Sequence, residues 1–315
     1  MLIGNRPLFA CPFLVRCAMA RNLAIRNAAC GVARIFLLAF ATLGTAAAQS
    51  IPPAIYTDPP VNSAHPARMD VLHIPSHGVS INGLIYAPPG AGPHPTLVIC
   101  HGLPGNEKNL DLAQAVRRAG WNAVTFNYRG SWGSPGEFRF AQNLEDADAV
   151  LGFLRDPANA DRLGIDTKRI VIAGHSMGGW VTVHTASHDH ALAGAILISA
   201  ADMGTLAGSR QALVKEMADN MEALRGVSAE GMADELLANA TKFGFAGASA
   251  GLVATPLLVL SADDGLAPGT DALVAAIRSK GGKSVTSVHA ATDHSWSDHR
   301  IYLESTIINW LAALK

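Results

Sequence analysis

The chain has 315 residues, 49% of them hydrophobic and 16% charged, which suffices for one large core or a core with a small lid. A net charge of −1, without a basic cluster or stripe, excludes a nucleic-acid-binding surface. Three of the four cysteines (Cys11, Cys17, Cys30) lie in the first 48 residues, so Cys100 lacks an intrachain disulfide partner and is expected as a small buried residue.

In chain order, Arg21, Arg26 and Arg34 precede an apolar run over 35–43, and small residues follow as far as Ala46-Ala47-Ala48-Gln49. A basic segment, a short apolar stretch and an Ala-x-Ala site predict a signal peptide over 1–48, cleaved after Ala48. A start at Met19 would give that segment the ordinary length. The apolar run is short for a membrane span, so the expectation is an exported protein, periplasmic or secreted, with no stable membrane insertion after cleavage. An uncleaved anchor is the alternative. Residues 49–68, rich in Pro, Ser and Ala, predict a linker. Segments 69–75 and 79–87 alternate in polarity around Ser76-His77-Gly78 and predict an antiparallel hairpin.

From Thr96 onward, apolar runs at 96–100, 121–127, 169–173 and 192–199 alternate with helical patterns near 108–119, near 144–155 and after Ser176. Runs apolar on both faces imply a parallel sheet with helices on either side. Residues 201–250 break the alternation with helical stretches at 211–224 and 229–242 and no strand. This insert reads as a helical cap, with 244–251 as its return hinge. A strand at 256–261, a helix at 271–280, a strand at 284–289 and a helix at 301–314 complete the chain.

The chemistry is concentrated where Ile170-Val171-Ile172-Ala173 runs into Gly174-His175-Ser176-Met177-Gly178-Gly179. A buried strand, a Gly-x-Ser-x-Gly turn and a following helix are the parts of a nucleophile elbow, with the Ser176 hydroxyl standing clear of the backbone. The helix start offers the Met177 N–H to an oxyanion. A second donor is expected from His101-Gly102-Leu103-Pro104-Gly105, after the strand at 96–100. There Leu103 has an N–H and Pro104 has none. His101 is read as bracing that loop.

Ser176 needs a base and an acid that orients the base, and in a sheet of this order they follow later as Asp, then His. After the strand at 256–260 stand Asp263 and Asp264. Asp264 is favoured for its Asp-x-apolar-x-Pro turn, and Asp263 is the alternative. After the strand at 284–289, His294 lies in the loop, whereas His289 ends the strand and His299 begins the last helix. Arg129, in Tyr128-Arg129-Gly130, is expected to pair with a helix carboxylate such as Asp146 and fix its loop rather than bind substrate. His184 and His188 have i,i+4 spacing, with His190 nearby, but no carboxylate-rich segment accompanies them. They read as a solvated helix end, not a metal site.

Over about residues 70–314 these motifs resemble the α/β-hydrolase superfamily. Within it the chain is similar to the serine-hydrolase branch of prolyl-oligopeptidase-like and acylaminoacyl-peptidase-like catalytic domains and small esterases. The resemblance implies an α/β fold: a mostly parallel eight-stranded sheet in the order 1-2-4-3-5-6-7-8, strand 2 antiparallel, helices on both faces and a small helical cap. It implies a serine hydrolase that uses Ser176, Asp264 and His294, holds the oxyanion on the N–H groups of Leu103 and Met177, and needs no metal or cofactor. Leu103 stands where the large oligopeptidases carry a tyrosine, which favours a small-molecule ester as substrate over a short peptide. A serine peptidase or amidase is the alternative, and a non-catalytic binding module on the same fold is the alternative of another class.

Overall fold

The computed structural model describes residues 50–206 and 209–314, all within one unit, Ala48–Lys315. The signal peptide expected over residues 1–48 lies outside the described residues. Among the described residues no helix is long and apolar enough to cross a membrane.

The sheet begins with the hairpin of β1 (Arg68–Ser76) and β2 (Val79–Ala87), joined by His77 and Gly78, both at positive φ, 45° and 87°. Two such residues make a tight turn whose twist matches that of the flanking strands. There follow β3 (His94–Cys100), β4 (Asn122–Phe126), β5 (Ile165–His175), β6 (Gly194–Ile198), β7 (Leu257–Ala262) and β8 (Val285–Ala290). The order across the sheet is β1-β2-β4-β3-β5-β6-β7-β8. Strand β2 is antiparallel to both its neighbours, and every other pair is parallel. This is the expected order, with the expected antiparallel strand.

The helices are α1 (Leu110–Arg118), α2 (Phe140–Arg155), α3 (Pro157–Leu163), α4 (Met177–His188) and α5 (Arg210–Ala218). After them come α6 (Ala229–Phe243), α7 (Phe245–Ala248), α8 (Ala267–Ser279) and α9 (Arg300–Ala313). Central strands are apolar on both faces, and alternate residues feed two cores. Val98, Ile170 and Ile172 join α2, α4, α8 and the cap on one side. Leu97, Ile99, Val171 and Ala173 join α1 and α9 on the other. That period of two explains why these runs read as unbroken apolar segments.

The structure departs from the sequence reading at several boundaries. Helix α3 is additional: Pro157 occupies its first turn, and the Asp156 carboxylate caps the N–H groups of Ala158 and Asn159. In the cap, the helix expected over 211–224 ends at Ala218. Residues beyond it pass through two turns and then lie beside the loop after β4, where Ser131 bridges Leu224, Trp132 N donates to Ala223 O and Arg225 N donates to Gly130 O. The expected hinge at 244–251 contains α7, whose Phe245 and Ala248 are buried, so the chain returns through packed structure. Within the expected linker, Pro53–Ile55 form a 3-10 turn, and Arg118 donates to the carbonyls of Ala54 and Ile55.

The cap is also held to the core through a helix terminus. Arg139, at the N-cap position of α2, supplies no side-chain cap. Glu235 of α6 does so instead, its two carboxylate oxygens accepting from Phe140 N at 3.1 Å and Ala141 N at 2.8 Å. A carboxylate at a helix N-terminus gains both from the orphan N–H groups and from the helix dipole. Glu235→Ala is therefore expected to lower unfolding stability by about 1–2 kcal/mol, read from urea denaturation. An unchanged midpoint would show that this link contributes nothing.

Candidate active site

Ser176 is the single residue between the end of β5 at His175 and the start of α4 at Met177. Its backbone is left-handed, φ 57° and ψ −121°, a conformation that costs a non-glycine residue about 1–3 kcal/mol. Neighbouring hydrogen bonds hold it there: Ser176 N donates to Ile198 O, and Ala201 N and Gly179 N donate to Ser176 O. The flanking glycines are required by contact. A Cβ on Gly178 would lie 2.1 Å from the Cys100 carbonyl oxygen, and one on Gly174 would lie 1.9 Å from that of Gly178. The elbow is thus pressed against the end of β3.

The loop after β3 passes beside the serine, since a Cβ on Gly102 would meet the Ser176 Cβ at 3.0 Å. His101 belongs to this loop's framework. Its Nδ1–H donates to Gly102 O at 2.8 Å, its ring packs against Tyr128 at 4.6 Å between centroids, and Tyr128 donates to the His101 carbonyl. Burial pushes the His101 imidazole down to about 4, so the ring is neutral near pH 7. Trp132 Nε1 donates to Pro104 O at 2.6 Å and fixes the far side of the loop. Among the described residues neither the Leu103 N–H nor the Met177 N–H donates a hydrogen bond.

His294 pairs with Asp264, Nδ1 to Oδ2 at 2.8 Å. Asp263 turns away and accepts from His289 Nε2 at 3.0 Å, in a pair whose side chains are 51% and 62% exposed. His299 engages Asp298. Two candidate Asp–His pairs therefore form, and of the two it is Asp264 and His294 that line a cavity with Ser176. Burial opposes ionisation of Asp264, but hydrogen bonds from His294, the Leu266 N–H and Ser199 outweigh it and hold its carboxyl below the usual range. An ionised Asp264 accepts, so the His294 Nδ1 carries the proton and Nε2 is free to act as a base.

Three supporting residues went unnoticed in the sequence. Ser199, just past β6, donates to Asp264 and accepts from the buried Trp296 Nε1 at 3.0 Å. His175, the variable residue of the Gly-x-Ser turn, donates through Nε2 to the His294 carbonyl at 2.8 Å, and the two rings lie 4.6 Å apart. The available signals were a bulky aromatic in a polar loop for Trp296 and a hydroxyl at a strand end beside the elbow for Ser199.

Ser176, Leu103, Met177, Asp264 and His294 line one cavity of about 320 Å³. The cap closes over it with Met203, Leu206, Glu216, Met217 and Asn220. Arg129 is held elsewhere, donating from Nε to Asp146 at 2.7 Å and from its terminal nitrogen to Glu145 at 2.6 Å. Buried Asp146 also accepts from Arg129 N and from Ser76. His184 bonds the Phe243 carbonyl and His188 pairs with Asp148.

Burial also lowers the His175 imidazole to about 4, with the nearby His294 acting in the same direction. A histidine whose folded pKa lies below its unfolded value contributes stability that is lost as pH falls from about 6.5 toward 4. Imidazole NMR at pH 5 should find His101 and His175 still neutral. Titration of both near 6.5 would contradict the packing described.

Residues 97–303 match the Alpha/beta hydrolase family. The quorum-quenching protein AidA of Acinetobacter baumannii is 32% identical over 142 residues, 43% of this chain and 45% of that protein. An uncharacterised protein of Mycobacterium tuberculosis is 29% identical over 129 residues, 41% of this chain and 44% of its own length. The chain thus spans less than half the length of the curated relatives it matches. Among solved structures, a hyperthermophilic esterase from Pyrobaculum calidifontis superposes with a TM-score of 0.61 at 20% identity, covering 80% of this chain and 88% of that one. An acylaminoacyl peptidase from Pyrococcus horikoshii gives 0.59 at 16% identity, covering 79% and 41%. At such identities the likeness is one of fold. Together with the match over 97–303, it makes this chain a member of the alpha/beta hydrolase family.

Proposed function

We propose that the protein is a serine hydrolase that cleaves a carboxylic ester through an acyl-enzyme. The observation that carries this reading is the convergence of Ser176, Asp264, His294 and the Leu103 and Met177 backbone in one cavity beneath the cap. Ser176 Oγ attacks the ester carbonyl while His294 Nε2 takes its proton. The tetrahedral oxyanion is held by the N–H groups of Leu103 and Met177, which are otherwise unengaged. As the C–O bond to the alcohol breaks, His294 returns the proton to the leaving oxygen. Water, deprotonated by His294, then hydrolyses the acyl-Ser176 ester and regenerates the enzyme. Asp264 fixes the tautomer and orientation of His294 and stabilises the imidazolium that forms in each half-reaction.

Hydrolysis of p-nitrophenyl esters checks these roles. Ser176→Ala should reduce kcat by about 10⁴–10⁶, and unchanged turnover would remove the mechanism. Asp264→Asn should reduce kcat by about 10⁴, because an amide leaves His294 in the wrong tautomer. Asp263→Asn should leave kcat close to wild type; the reverse pattern would move the acid to Asp263.

We also propose that residues 1–48 direct export, a reading supported by the arginines, apolar run and Ala-x-Ala site alone. N-terminal sequencing of the protein recovered from outside the cytoplasm should begin at Gln49. A mature chain that begins at Met1 or Met19 would contradict it.

A further inference from the structure

Glu216 is placed against its own helix. It lies in the last turn of α5, two residues before the end at Ala218, where the helix dipole disfavours a carboxylate. The positions that would carry a compensating cation hold Ala212 and Leu213 upstream and Asp219 and Asn220 downstream. Arg210, on the same helix, is committed to Asp234 at 2.6 and 2.8 Å. Among the described residues the Glu216 carboxylate makes no ion pair or hydrogen bond; only its backbone carbonyl is used, accepting from Asn220 Nδ2 at 2.9 Å. The residue is exposed, with Lys215 beside it in the same turn, and it also lines the cavity that holds Ser176.

The charge of the cavity is correspondingly one-sided. Its lining carries two carboxylates, Asp264 and Glu216, and no lysine or arginine. Asp264 is bound to His294, and Arg129 is turned to Asp146 and Glu145. The rest of the wall is largely apolar, with Leu103, Met177, Met203, Leu206 and Met217 among its members. A largely apolar cavity with an unpaired carboxylate on its solvent-exposed wall favours cations and repels anions, an effect that salt screens. Asn220, also in the lining, spends one of its two Nδ2–H donors on the Glu216 carbonyl and adds an acceptor in Oδ1.

We infer that Glu216 makes this a hydrolase of cationic esters: substrates whose apolar body carries an ammonium group, held against the cap helix α5 while the ester carbonyl meets Ser176. The inference rests on the serine-hydrolase reading above and adds the substrate's charge to it. It predicts discrimination against esters that carry a free carboxylate.

Butyrylcholine and 3,3-dimethylbutyl butyrate have the same shape and differ by one positive charge, so the ratio of their kcat/KM values isolates the charge preference. Glu216→Gln should lower that ratio by about five-fold, the upper end of what a partly exposed ion pair supplies. Glu216→Lys should lower it further, and raising the salt concentration should lower it in the wild type only. An identical ratio in wild type, E216Q and E216K would overturn the inference. Labelling with a fluorophosphonate, mapped to Ser176 in all three proteins, separates the two levels of the account. Labelled Ser176 with equal ratios removes the cationic preference alone. No labelling and no cleavage of either ester in the wild type removes the hydrolase reading and this inference with it.

Discussion

The turn at Ser176 is the constraint on which the rest of the site depends. A parallel strand and a helix are joined there by one residue, so the helix start must pass over the end of the neighbouring strand. Gly178 meets the Cys100 carbonyl at a distance that admits no side chain. Hydrogen bonds from Ser176 N to Ile198 and from Ala201 N to Ser176 lock the same turn to the end of β6. The left-handed backbone of Ser176 is held by these contacts on both sides, a strain that persists because the surroundings over-determine it. Its consequence is chemical: the serine hydroxyl and the first N–H groups of α4 face the same space.

The electrostatics follow from who accepts from whom. Asp264 is surrounded by donors from three elements: His294 from the loop after β8, the Leu266 N–H from the start of α8 and Ser199 from the end of β6. It stays ionised although partly buried, and an ionised acceptor dictates which nitrogen of His294 bears the proton. His175 grips the same residue from the other side, its Nε2–H donating to the His294 carbonyl, and burial keeps its ring neutral. Arg129, in the loop after β4, is absorbed by Asp146 and Glu145. The cavity is left with uncompensated negative charge at Glu216. Positioning of the His294 imidazole and the unpaired carboxylate of Glu216 therefore arise from the same allocation of partners.

Much of this was legible in the sequence because it depends on local pattern. Alternating apolar runs gave the sheet, its order came with the family resemblance, and the elbow, the Asp264 turn and the His294 loop sat at the ends of identifiable strands. Arg129 pairs with Asp146 as its position beside a helix carboxylate suggested. What was not legible depends on contacts between distant segments. Glu235 caps a helix some ninety residues away, and no window of sequence around α2 contains that carboxylate. The stretch beyond Ala218 pairs with Ser131 instead of continuing a helix. Ser199 and Trp296 join the site only because β6 and the His294 loop lie side by side. Glu216 stands apart from both kinds: its sequence neighbours reveal the missing cation, but only the fold brings it to the cavity.

The central claim is covalent, so it is tested most directly by catching the intermediate. Acid-quenched turnover of a slow p-nitrophenyl ester, followed by peptide mapping by mass spectrometry, should find the acyl mass on the peptide that contains Ser176 and specifically on that residue. Product release with no acylated peptide, or with the acyl group on another side chain, would contradict the account.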